Sequence, residues 1–156
     1  MSLKLTTTAF PSEGPIPVKY SKKGGNVSPP LAWSGVPEGT RSLALIVDDP
    51  DAPVGLFVHW VVYRIPPTST GLKEHLPEAG TLPDGSRQGR NGFGEIGYGG
   101  PQPPSGKHRY FFHLYALDTV PDLGPGAGRQ QLDRQMQGHI IDQSDIMGTF
   151  EARKAP

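Results

Sequence analysis

Cysteine is absent from the 156 residues. That excludes disulfides, thiolate nucleophiles and cysteine-based zinc sites, and it suits a reducing compartment, so a cytoplasmic protein is expected. An excess of charge of either sign is missing too, because 15 Lys and Arg balance 15 Asp and Glu. The longest basic cluster is Lys22-Lys23, too little to grip a polyphosphate backbone, and nucleic acid is not expected as a partner. No apolar run reaches the length of a membrane span, and the residues after Met1 lack a signal-peptide core, so no transmembrane segment is expected. Helical periodicity is scarce, and neither an internal repeat nor a linker divides the chain. A single domain over 1–156 follows, long enough to bury roughly 70% of its unfolded surface.

What is abundant is glycine and proline: 21 and 18 residues, a quarter of the chain. The apolar residues between them fall in dense runs, which argues for short strands joined by turns and against low-complexity disorder. SLALIVDD (42–49) is apolar from Leu43 to Val47 and reads as a strand covered on both faces. FVHWVVYRIP (57–66) is a second strand, stopped by Pro66-Pro67. Strict alternation puts His59, Val61, Tyr63 and Ile65 on one face and Trp60, Val62 and Arg64 on the other. HRYFFHLYALD (108–118) is the clearest strand, with His108, Tyr110, Phe112, Leu114 and Ala116 sharing a face. Residues 3–8 alternate weakly, 21–33 read as loop, 68–96 as a long excursion rich in turn dipeptides, and 142–152 as a last strand. The one helical pattern covers 129–141, with Leu132 and Met136 four apart and Gly138 as its weak point. The fold class expected is all-β: two antiparallel sheets and one short helix in the C-terminal region.

Three polar clusters interrupt the apolar strands: DDPDAP (48–53), His59, and the stiff loop GYGGPQPPSG (97–106) that empties into His108 and Tyr110. As turn chemistry, Asp-Pro and Ala-Pro favour tight reversals, and a strand histidine is ordinarily satisfied by a backbone carbonyl. As site chemistry, glycines let backbone N–H groups approach a ligand and make an anion-binding concavity, while proline keeps the loop rigid. With His59, His108 and Tyr110 lining that concavity, the cluster reads as an anion receptor, in which Asp49 and Asp51 orient the imidazoles or bond a hydroxyl or amine of the guest. Two histidines binding as cations would lose affinity as pH rises past about 6.5. A two-histidine, one-carboxylate metal site from Asp49, His59 and His108 is weighed and set aside, since a Gly/Pro loop suits an anion better than a cation. Gly92, Gly94 and Gly97 match G-x-G-x-x-G without a following helix, and Asn26-Val27-Ser28 matches a glycosylation acceptor without a secretory signal; neither is taken as functional. His113 and Tyr115, on the odd face, read as structural. No cofactor is expected. Ser105, three residues before His108, reads as turn chemistry, so no nucleophile is assigned and no enzyme activity is expected.

DPDAP, a VHW strand and GYGGPQPPSGKHRY in this order, flanked by GNVSPPLAW (25–33) and GHIIDQSDIMGTFEARK (138–154), resemble the phosphatidylethanolamine-binding protein family in its small bacterial and archaeal branch. The resemblance implies a β-sandwich with an anion pocket at one end, holding phosphate, phosphorylated small molecules, lipid headgroups or small carboxylates. By motif position it assigns Asp49, Asp51 and Pro53, then His59, then Gly100, Pro101, His108 and Tyr110 to ligand binding, and it makes Ala52-Pro53 a candidate cis bond. Raf kinase inhibitor proteins belong to the same family, so a regulatory role, or inhibition of a protein kinase or protease through exposed loops such as 68–96, is the alternative; a phosphoester hydrolase ranks below both. A homodimer is left open. The chain departs from the branch at Gly92, where relatives carry Asp, and at Gln102, where they carry Cys. It also stops soon after GTFEARKAP, without the longer helix of animal members, so a more open site is expected.

Overall fold

A strand apolar at successive positions cannot face water on either side, so Ser42–Asp49 needs cover from two directions. In the computed structural model, which describes residues 2–152, it has that cover. The end of the resembling segment, at 153 and 154, lies outside the described residues. Among those residues the strands are β1 (Lys4–Thr6), β2 (Leu31–Ser34), β3 (Ser42–Asp49), β4 (Phe57–Ile65), β5 (Gly71–Leu72), β6 (Arg87–Gln88), β7 (Lys107–Leu117) and β8 (Ile140–Glu151). One antiparallel sheet runs β6-β4-β3-β7-β8 and the other β1-β2-β5. On one face of the larger sheet, Leu43, Leu45, Trp60, Val62, Phe112 and Leu114 pack against Leu5, Leu31, Trp33 and Leu72 of the smaller. On the other, Ala44, Ile46, Val61, Tyr63 and Leu117 are covered by Leu132 and Met136 of the single helix α1 (Arg129–Met136). Among the described residues no helix is long and apolar enough to cross a membrane.

The all-β sandwich with one helix is therefore the observed fold, with four local departures. β2 begins inside the stretch read as loop, because Pro29-Pro30 conceals a four-residue strand whose Leu31 and Trp33 alternate into the core. Helix α1 stops at Met136 and not at 141: Gly138 adopts φ +81°, and Ile140 and Ile141, which prolong the helical pattern in the sequence, instead open β8. Residues 68–96 carry β5 and β6 and are pinned through Gln88, whose Oε1 accepts from Trp60 Nε1 at 2.8 Å. Its Nε2 donates to the carbonyls of Pro77 and Ala79, both at 2.8 Å.

The fourth departure positions the site. β4 carries two bulges against β3: Val47 pairs with Trp60 and Asp48 with Val58, which skips His59, and a second shift falls between Val62 and Ile65 at Arg64, φ +58°. A bulge puts two successive residues on one side. Ile65 thereby joins Trp60 and Val62 in the inter-sheet core and not Val61 and Tyr63. His59 moves off the helix-covered face expected from alternation and lies against Tyr110, ring centroids 5.1 Å apart.

Candidate functional site

β3 ends in two aspartates, and alternation sends them to opposite faces of the sheet. Asp49, 3% exposed, faces β7, where its Oδ2 accepts from His108 Nδ1 at 2.6 Å. Its Oδ1 accepts from the Asp51 amide at 2.7 Å, so one carboxylate both orients an imidazole and folds the chain into the turn after β3. Asp51 then clamps Arg109: one oxygen accepts from the Arg109 amide and Nε, the other from Nη2, all at 2.9 Å. The fork of hydrogen bonds from Arg109 holds the Asp51 pKa down at about 2. Ala52-Pro53 is trans, against the expected cis bond; the reversal is made by the Asp49 turn and by Gly55 at φ +98°.

His59, 3% exposed, donates Nδ1–H to the Gly99 carbonyl at 2.7 Å. Burial lowers its pKa, and the carbonyls of Gly99 and Gly100 and the Asp49 charge pull upward without prevailing. Burial thus favours the neutral form of this imidazole. Phe57 and Phe93 complete an aromatic wall around it, at 5.0 and 5.7 Å between ring centroids.

These groups enclose a cavity of about 200 Å³ lined by Asp49, Ala52, Pro53, Val54, Phe57, His59, Phe93, Gln102, Pro103, Pro104, His108 and Tyr110. Tyr110, whose hydroxyl is buried, is one of the lining residues. Among the described residues that hydroxyl is the one buried side-chain polar atom that makes no hydrogen bond. Burial raises its pKa far above the ordinary tyrosine value, with the Asp49 and Asp51 charges adding to the rise, so it remains an O–H. A larger groove of about 510 Å³ runs along the outside of the same proline loop, past Val18, Lys23 and Phe150, but it contains none of the buried ionisable groups.

Of the eight residues singled out from the sequence, five line the cavity: Asp49, Pro53, His59, His108 and Tyr110. Asp51, Gly100 and Pro101 are not among the residues that line it. Asp51 is spent on Arg109, and Pro101 presents its carbonyl to the Lys22 amide at 3.0 Å. The amide of Gly100 donates to Asn26 Oδ1 at 2.7 Å, and that of Gly99 to the His59 carbonyl at 2.9 Å. The amides of Gly99 and Gly100, expected to help cradle an anion, are thus already engaged. Gly100 is required for another reason: a Cβ there would lie 2.2 Å from the Tyr20 carbonyl oxygen. Gly100→Ala is expected to lose about 2 kcal/mol of stability by overpacking against backbone, measured by urea unfolding.

Sequence reasoning missed Asn26 and Asn91, which shape the loops. Asn26 holds residues 98–100 through the Gly100 amide and the Tyr98 carbonyl, and Asn91 holds Phe93 against the cavity by accepting its amide at 2.9 Å. The signal for Asn91 was its Asn-Gly dipeptide, which marks a turn but not what the turn presents. Phe57 and Phe93 carried no polar signal at all.

The family model described as phosphatidylethanolamine-binding protein matches residues 6–151. A UPF0098 protein of Methanothermobacter thermautotrophicus is 55% identical over 148 residues, 95% of this chain and 98% of that protein. Among solved structures, a phosphatidylethanolamine-binding protein homologue of Chlamydia trachomatis superposes with a TM-score of 0.89 at 44% identity, covering 97% of this chain and 99% of its own. Escherichia coli YbcL, described as a member of the mammalian family, gives 0.91 at 35% identity, with 98% and 100% covered.

Proposed function

The chain belongs to the phosphatidylethanolamine-binding protein family, and from that premise we propose that it is a non-enzymatic binding protein whose cavity holds a phosphoryl or carboxylate oxyanion, free or borne by a small molecule or headgroup. The observation that carries this reading is the Tyr110 hydroxyl, buried without a partner while the other buried side-chain polar atoms of the described residues are satisfied. An unpaired buried hydroxyl costs free energy, and a native protein retains one where something outside the chain is to be bonded. His108 supports it: with Nδ1 tied to Asp49, a proton on Nε2 makes the ring a charge-assisted donor to an oxyanion. Prolines 53, 103 and 104 keep the mouth rigid, so little ordering entropy is lost on binding. The lining has no Ser, Thr or Cys, and its one hydroxyl is a phenol held protonated, which favours holding a ligand over attacking one.

A regulatory grip on a kinase or protease through 68–96 has less support, since Gln88 pins that excursion to β4. The cysteine-free composition suits work in the cytoplasm. Calorimetric titration of inorganic phosphate at pH 6 tests the reading. Wild type is expected to bind, and His108→Ala to bind at least tenfold more weakly; equal affinity for the two proteins would overturn it.

A further inference from the structure

The cavity is built for an oxyanion, yet one of its ring nitrogens is an acceptor. A carbonyl oxygen can only accept, so the 2.7 Å contact to Gly99 fixes the His59 proton on Nδ1 and leaves Nε2 as a bare lone pair. The groups around the ring do not change this. Asp49 and, on the reverse of β3, Asp48 attract a proton toward it, whereas burial opposes one more strongly. On β7, Tyr110 presents an un-ionised hydroxyl and His108 is tied to Asp49. Beyond Phe93 the Lys22 ammonium is paired with Glu95, and at the rim Arg109 is paired with Asp51. A fully ionised phosphate brings acceptors only and would set an oxygen lone pair against Nε2. A phosphate carrying one hydrogen offers an O–H to Nε2 and its remaining oxygens to Tyr110 and His108.

Resting on the anion-binding reading, we infer that the pocket selects the mono-protonated form of a phosphomonoester, R–OPO3H⁻, and takes up one proton per ligand when presented with the dianion, that proton lying on the line between a phosphoryl oxygen and His59 Nε2. Nothing is made or broken but hydrogen bonds, and the proton comes from solvent. The second ionisation of alkyl phosphates lies near pH 6, so affinity is expected to fall about tenfold for each pH unit above roughly 7.

The test uses methyl phosphate and two readouts. The first is histidine ¹⁵N–¹H correlation of the wild-type protein at pH 8: His59 is expected as the Nδ1–H tautomer when free, with Nε2 changing to a hydrogen-bonded or protonated shift on saturation. Free His59 already protonated at Nε2, or an Nε2 shift that saturation leaves untouched, overturns the inference. The second is calorimetry at pH 8 in buffers of different ionisation heat, comparing wild type with His59→Gln, whose amide supplies its own N–H. Wild type is expected to take up about one proton more than the variant; equal uptake overturns the inference. Both outcomes differ from failure of the underlying reading, in which methyl phosphate binds wild type at no pH between 5 and 8.

Discussion

Asp48→Asn is expected to lower the unfolding free energy by about 3 kcal/mol, the cost of removing one partner of a buried ion pair. Asp48 is 3% exposed on the helix side of β3. Its Oδ2 accepts from Arg129 Nη1 at 2.7 Å and its Oδ1 from His113 Nε2 at 3.1 Å, while His113 Nδ1 donates to Asp145 at 2.6 Å. Without the carboxylate, Arg129 and His113 lose the negative charge they share, and the neutral amide in its place offers an acceptor oxygen but no opposing charge. Arg129 and His113 retain about a fifth of their side-chain surface in water, which holds the expected loss to the low end for such pairs. Urea unfolding of both proteins measures it, and a change below about 1 kcal/mol would put the pair in the surface class.

The same network gives stability a pH dependence of defined sign. For Asp48, burial pushes the pKa up, but the His113 hydrogen bond and charge and then Arg129 outweigh it, and the net shift is downward. Its contribution is complete above the ordinary carboxylate range, about 4, and is lost as pH falls through the depressed value. For His113, burial pushes the pKa down and the two aspartates more than reverse it. Its contribution is complete below about 6.5 and is lost as pH climbs through the raised value. The contribution of this network should therefore be complete between about pH 4 and 6.5 and decline on the alkaline side. In Asp48→Asn that alkaline decline should be shallower, because His113 keeps only Asp145.

His113 was legible in the sequence as structural, and in a sense it is, but nothing in HRYFFHLYALD reveals that it closes a four-membered charge network with a residue from each of three other elements. The sheet strands were legible because their signal is local: five successive apolar residues in β3 dictate cover on both faces, and the even face of β7 ran into the core as alternation requires. Errors came where a single residue breaks a period. The bulge at His59 turns a side chain through half a revolution with no compositional mark, and Gly138 ends a helix whose apolar pattern continues. The site was legible in part for the same reason. His59, His108, Tyr110 and Asp49 are chemically conspicuous, whereas whether Gly100 offers its N–H to a guest depends on Asn26, seventy-four residues away.

Tyr110→Phe should move stability and binding in opposite directions. The hydroxyl has no partner in the protein, so deleting it removes a desolvation penalty while the ring, 1% exposed and 5.1 Å from His59, keeps its packing; a gain of about 1 kcal/mol is expected. A hydrogen bond to a charged group contributes about 1.5–3 kcal/mol, so phosphate affinity should drop by roughly ten- to a hundredfold. Urea unfolding and calorimetric titration of inorganic phosphate at pH 6 read the two effects on one preparation. A hydroxyl kept for the fold would show the reverse pair, lower stability with unchanged binding, and that result would remove the ground on which the cavity is assigned a guest. The predicted pair instead describes a group that destabilises the free chain and is retained because the bound state needs it.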